Sequence, residues 1–157
     1  MKNFEFKSQI CTNKEQSERL LALGLKKETA DMTWFKRNTS ADFECCTSSY
    51  TEWKEEILPI ADDYTLKDII PAWSLHRLLC MLPRYVRKEY IVFGRKYIAA
   101  LDLIIDEDLG ISYKEGVDEP RYDEVFYAKD IYTSLYDCIE WLIKEGYFNK
   151  DYLEEKK

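Results

Sequence analysis

The segment IPAWSLHRLLCMLP, residues 70–83, constrains the fold more than any other stretch, because its local signals agree on where a helix starts, which face it buries and where it stops. Ser74 suits the N-cap: its hydroxyl can accept from a backbone N–H that the first helical turn leaves unpaired, while Pro71 keeps the approach extended. The spacing predicts a helix from Leu75, with Trp73 and Leu78 placed to close a hydrophobic staple and Leu75, Leu78, Leu79 and Leu82 on one stripe. Pro83 ends it. Apolar side chains of this size contribute about 1.5–3 kcal/mol each when fully buried, so this is expected to be a core helix.

Upstream, Thr12 and Glu15 form a capping-box pattern ahead of Leu20, Leu21 and Leu23, which predicts a helix over 13–23. Gly24 is then the left-handed residue after the helix, with Leu25 able to reach Leu20. Met32–Lys36 and 50–57 are aromatic-rich, alternate imperfectly and are expected as strands, joined by a polar, cysteine-containing connection over 37–49. Residues 60–69 read as a second polar connection in which Thr65 and Asp68 suit a single capped turn.

After Pro83 the period changes. Residues 90–93, a turn at Gly94-Arg95, 97–105 and Ile111–Lys114 read as a β-meander. Within 97–105, Tyr97, Ala99, Leu101, Leu103 and Ile105 share one strand face, opposite Ile98, Ala100, Asp102 and Ile104. A helix also fits the spacing of Tyr97, Ile98, Leu101, Ile104 and Ile105, but Gly94 and Gly110 bracket the run and its flanks hold β-formers. Asp130 can cap a last helix, 131–145, whose stripe is Ile131, Leu135, Cys138, Ile139 and Leu142 and which should lie across the sheet. Gly146 terminates it, with Tyr147 placed to cover Leu142. The expected class is α+β: a small antiparallel sheet, made of the meander plus the N-terminal strands, covered by three helices.

A chain of 157 residues with 46% hydrophobic content can bury one sizeable core, so a single domain over 1–157 is expected, with 152–157 as a frayed tail. The net charge of −7 argues against a nucleic-acid or anionic-membrane partner bound over a broad surface, which needs clustered Lys and Arg. The charge is nonetheless uneven: 84–97 carries five basic residues against Glu89, net +4, and 102–130 carries ten acids against three bases, net −7. No N-terminal apolar run resembles a signal-peptide core, and no segment approaches the roughly 18 uncharged apolar residues of a membrane span. A cytosolic location is the expectation. Cys11, Cys45, Cys46, Cys80 and Cys138 are odd in number and lack CxxC spacing, and Cys80 and Cys138 fall in helical apolar patterns, which suits reduced structural thiols.

The segments PAWSLHRLLCMLP (71–83), DCIEWLIKEGYF (137–148) and KEQSERLLALGLKKETADM (14–32) resemble a group of uncharacterised proteins encoded in phages and mobile elements of gut Bacteroidales. The likeness lies in the proline-flanked WSL helix start and the tryptophan-bearing C-terminal helix that ends near a glycine. These positions are structural in type, so the resemblance implies a setting and carries across no catalytic or binding residue.

Few residues offer chemistry. His76 is the one histidine, which rules out a two-His metal site, and at the second helical position it faces away from the leucine stripe. A Cys80–His76 nucleophile pair is geometrically open at i, i+4, but no orienting third group accompanies it. Asp106-Glu107-Asp108 with Gly110 departs from a calcium loop, which needs glycine sixth and glutamate twelfth where this chain has Leu109 as fourth, Gly110 as fifth and Val117 as twelfth; a solvated turn explains it better. The vicinal Cys45-Cys46 would hold a soft metal only with partners the sequence does not name. No glycine loop is built to cradle phosphate. No catalytic, metal or cofactor residue is therefore assigned, and no cofactor is expected.

Three classes of function fit what remains. The first is a small interaction or adaptor module that binds another protein, supported by an aromatic content of 15% with 12 tyrosines and 4 tryptophans. The second is nucleic-acid engagement, through the basic 84–96 stretch or through mimicry by the acidic 102–130 region. The third is an enzyme without a recognisable motif. A non-enzymatic interaction protein is the expectation, its partner a protein, with a second copy of the chain among the candidates. The expected contact residues are Arg84, Tyr85, Arg87, Lys88, Arg95 and Lys96, because Arg and Tyr together are typical interface anchors. The plainer alternative is a solvated edge strand whose charges prevent aggregation.

Overall fold

The structure is a computed structural model that describes residues 9–37, 40, 42–61, 64, 69–105, 110–116 and 123–155. It is α+β, with two antiparallel sheets. The chain divides into two compact units, Met1–Leu78 with Tyr152–Lys157, and Leu79–Asp151.

In the first unit, α1 (Lys14–Ala22) is capped one residue later than the sequence suggests. Asn13 accepts from the Gln16 N–H at 2.9 Å and the Gln16 side chain accepts from the Asn13 N–H at 2.9 Å. Thr12 cannot cap because it is buried and committed elsewhere: its hydroxyl accepts from the Trp73 N–H at 3.0 Å, and its own N–H donates to the Trp73 carbonyl at 2.9 Å. The far end follows expectation. Gly24, at φ +98°, lets its N–H reach the Leu21 carbonyl and the Leu25 N–H reach the Leu20 carbonyl, which closes a Schellman motif over buried Leu20 and Leu25.

The first sheet has the order β2-β1-β3, with β1 at Met32–Lys36, β2 at Phe43–Cys46 and β3 at Ile69–Ala72. β1 stands where the alternation places it, whereas β2 lies inside the expected 37–49 connection and β3 opens at the end of the expected 60–69 connection. The expected strand over 50–57 is helical instead: α2 (Tyr50–Glu52) continues through a π-helical turn, Trp53–Ile57. Ser49 and Glu52 form a capping box, with the Ser49 N–H donating to Glu52 at 2.7 Å and the Glu52 N–H to Ser49 at 3.2 Å. Tyr50 and Trp53 are buried at helical spacing, and Trp53 stacks on Phe35 of β1 with ring centroids 5.1 Å apart. The turn expected at Thr65 and Asp68 lies outside the described residues, as does the Asp106–Asp108 segment.

The helix α3 (Leu75–Met81) begins where Ser74 predicts, with the Arg77 N–H donating to the Ser74 hydroxyl at 3.1 Å. That hydroxyl in turn donates to the Asp31 carboxylate. Trp73 and Leu78 are fully buried, Leu82 is buried, and Leu75 and Leu79 are half-buried. Residues 152–154 are not a frayed tail. Leu153 bridges Leu25, the Lys26 N–H donates to the Tyr152 carbonyl at 2.9 Å, and the Glu154 N–H to the Gly24 carbonyl at 2.8 Å.

In the second unit a meander of order β4-β5-β6-β7 comprises β4 (Tyr85–Val92), β5 (Arg95–Ile105), β6 (Ile111–Lys114) and β7 (Asp123–Phe126). The 97–105 run is strand, and over 98–102 its faces divide as the alternation predicts, with Ala99 and Leu101 fully buried and Ile98, Ala100 and Asp102 exposed, whereas Tyr97 and Ile105, on the same face as Ala99, are themselves exposed. β4 starts five residues before the expected 90–93 strand, and the turn falls on Phe93-Gly94 rather than Gly94-Arg95. The helix α4 (Ile131–Lys144) contacts β6 and β7. Asp130 caps it by accepting from the Thr133 N–H at 2.9 Å, and Gly146 with Tyr147 closes a second Schellman motif on Leu142. Leu135, Cys138, Ile139 and Leu142 are fully buried, and burial pushes the Cys138 thiol up to about 12.

Candidate interaction surface

The β4–β5 hairpin separates the meander into two unlike faces. On one, Val86, Ala99, Leu101, Ile111 and Tyr113 are buried, and Trp141 of α4 lies against Tyr113 and Phe126 with centroids 5.8 and 5.6 Å away. The Tyr113 hydroxyl donates to the Pro83 carbonyl at 2.6 Å, and burial raises its pKa. The register places Tyr85, Arg87, Glu89 and Ile91 of β4 on the other face beside Asp102, Ala100, Ile98 and Lys96 of β5. All eight are exposed; Ile91 and Ile98 keep 66% and 64% of their surface open.

The hairpin tip is the least ordinary feature. Phe93 and Gly94 have φ of +49° and +74°, the pair of positive angles that marks a type I′ turn, whose first position ordinarily takes Asn, Asp or Gly. Phe93 is instead fully exposed and is the one non-glycine with positive φ among the described residues.

The backbone of β4 also has a free edge. The Arg84 carbonyl accepts from the Leu103 N–H at 2.8 Å, and Val92 pairs with Arg95 across the turn. Even-numbered positions of β4 therefore direct their backbone groups to β5, and Tyr85, Arg87, Glu89 and Ile91 direct theirs outward, where no strand pairs with them among the described residues.

No protein-family model, curated protein or solved structure matches this chain.

The six residues singled out from sequence do not form one patch. Tyr85, Arg87 and Lys96 share the exposed face. Arg84 precedes β4 and Arg95 follows the turn, both exposed. Lys88 turns to the α4 side, where it pairs with Glu124 and lies 5.5 Å over the rings of Tyr90 and Trp141. Burial alone would lower the Lys88 pKa, but the Glu124 carboxylate outweighs it and the net shift is upward. Lys96 is 3.0 Å from Glu89. Two of the five cations are thus already matched by carboxylates, which weakens a phosphate-binding role for this stretch. Sequence reasoning missed Ile91, Phe93 and Ile98. The signal for the tip was the aromatic-glycine pair at the centre of a hairpin pattern.

Elsewhere, His76 and Cys80 are exposed on α3. Among the described residues no group of three or more His, Cys, Asp or Glu could hold a metal ion, and no helix is long and apolar enough to cross a membrane. A cleft of about 600 Å³ in the first unit is lined by Asn13, Lys14, Glu15, Trp34, Asp42 and Phe43. Beside it, the Cys11 and Cys45 sulfurs stand 3.0 Å apart. The hydrogen bond to Cys45, then burial, raises the Cys11 pKa; accepting that bond lowers the Cys45 pKa against the opposing effect of its own burial.

Proposed function

We propose that this chain is a protein-interaction module whose partner adds an extended strand along the outer edge of β4. The observation that carries this reading is that edge, where outward backbone groups, exposed Tyr85 and Ile91, and a charge of each sign at Arg87 and Glu89 stand in one row. Strand addition uses such an edge, with main-chain hydrogen bonds for affinity and alternate side chains for specificity.

The partner chemistry follows from the row. Opposite Arg87 it presents an acid, opposite Glu89 a base, and opposite Tyr85 and Ile91 apolar groups. A second copy of the chain meets all four conditions when two β4 strands pair antiparallel with Lys88 at the centre. Arg87 of each copy then faces Glu89 of the other, and Tyr85 faces Ile91. Centring on Arg87 or on Glu89 would set like charges opposite each other on the exposed face, whereas the Lys88 pair that this register creates lies on the α4 side, where each ammonium is already matched by Glu124 of its own copy. Through the resemblance to proteins of phages and mobile elements, host and phage proteins are where a different partner would be sought.

Glu89→Pro tests the reading. It removes one outward N–H that β5 does not use, a change edge strands tolerate. Sedimentation over a range of concentrations, run beside partner capture from the native host, should show association in the wild type that Glu89→Pro abolishes while the folded spectrum is kept. Association that Glu89→Pro leaves intact, or a wild type that neither self-associates nor captures any partner, overturns the proposal.

A further inference from the structure

Cys11 and Cys45 are 34 residues apart in sequence and come from different elements: Cys11 bridges Ser74 ahead of α1, and Cys45 lies in β2 opposite Trp34. Cys11, Met32 and Ala72 form a buried apolar cluster against which Trp34 and Cys45 pack. The two sulfurs therefore face each other in a closely packed setting. From 3.0 Å they need approach by only about 1 Å to reach the disulfide bond length. Their exposure differs in a useful way, since Cys11 is 1% exposed and Cys45 is only partly buried. The neighbouring Cys46 is held apart from the pair, its sulfur accepting the Trp53 indole N–H at 3.1 Å.

We propose that Cys11 and Cys45 are a reversible dithiol site that a small-molecule disulfide, of which glutathione disulfide is the type, oxidises to an intramolecular disulfide. Cys45, the reachable sulfur, attacks one sulfur of glutathione disulfide as the thiolate. The oxidant's S–S bond breaks, a mixed disulfide forms on Cys45, and one glutathione thiolate leaves and takes up a proton equivalent to the one Cys45 lost. Cys11 then gives up its proton and attacks Cys45 Sγ, expelling the second glutathione, which is protonated in turn. The two cysteine thiols are oxidised to one disulfide and one glutathione disulfide is reduced to two thiols. The order of attack agrees with the opposed directions in which the two thiols are shifted.

The bond has a structural consequence. Cys11 lies two residues before Asn13, which with Lys14 and Glu15 lines one part of the 600 Å³ cleft, and Cys45 lies two residues after Phe43, which with Asp42 lines another. Closing the disulfide ties these two linings together beside Trp34. The site is thus a covalent latch on the cleft, and it is independent of the proposal for β4.

The test incubates the full-length chain with excess glutathione disulfide and digests it without reduction for mass spectrometry. Expected is a Cys11–Cys45 cross-link, a loss of two hydrogens, that dithiothreitol reverses and that raises the melting temperature by on the order of 5–10 °C. Cys46→Ser should form the same cross-link, and Cys45→Ser should leave Cys11 unmodified. Neither variant alters the buried Cys11, so folding is preserved in both. A Cys45–Cys46 bond, a stable glutathione adduct on Cys45 of the wild type, or unreacted thiols in the folded chain would each overturn the proposal.

Discussion

Phe93 holds a backbone conformation that costs a residue with a Cβ about 1–2 kcal/mol, and its fully exposed ring recovers none of that by burial. Phe93→Asn supplies the Asn-Gly pair that a type I′ turn prefers, so denaturant unfolding should show a gain of about 1 kcal/mol. A loss of stability would mean that the ring is packed after all. The strain also identifies the tip as a place where a ring is kept at a cost, and the same variant should weaken any association that uses the tip. Leu78 is the opposite case. It is fully buried, and Leu78→Ala should cost about 2–5 kcal/mol in the same measurement, the large-to-small penalty of a core site. An unchanged Leu78→Ala midpoint would place the side chain outside the core.

At the scale of elements, the structure separates cues that act alone from cues that need a partner. The Ser74 cap, the Gly24 and Gly146 terminations and the faces of β5 were legible because each depends on residues within one or two turns of chain. Thr12 was misread as a cap because its hydroxyl is claimed by Trp73, 61 residues away. The segment 50–57 was misread because aromatic composition was weighed above the Ser49–Glu52 capping box. Here Ser49→Ala should cost about 1 kcal/mol and raise hydrogen exchange first in the α2 segment. Exchange unchanged there would mean that the buried Tyr50 and Trp53, and not the cap, hold the helix. For the candidate surface, the basic stretch was visible but its division was not. The turn falls one residue earlier than expected, and only the actual pairing settles that Lys88 belongs to the α4 side while Ile91 and Ile98 are exposed together.

For the whole molecule, the question is whether a chain of net −7 uses a local excess of positive charge to recognise a partner. Arg84, Arg87 and Lys96 are all exposed, and the Lys96–Glu89 pair keeps 73% and 50% of its side-chain surface in solvent, so reversing the three charges should leave the fold intact. The variant Arg84→Glu, Arg87→Glu, Lys96→Glu moves the formal net charge from −7 to −13, since each replacement changes it by two. With the Arg87→Glu change in place, strand pairing along β4 would set a carboxylate against Glu89 of a second copy, or against the acid that another partner offers to Arg87. Association should fall, and the salt dependence of the residual binding should reverse, because added salt then screens a repulsion between like charges instead of an attraction. Binding whose affinity and salt dependence both survive the reversal would rule out this row of side chains as the contact, and would turn attention to the acidic 102–130 stretch as the recognition surface.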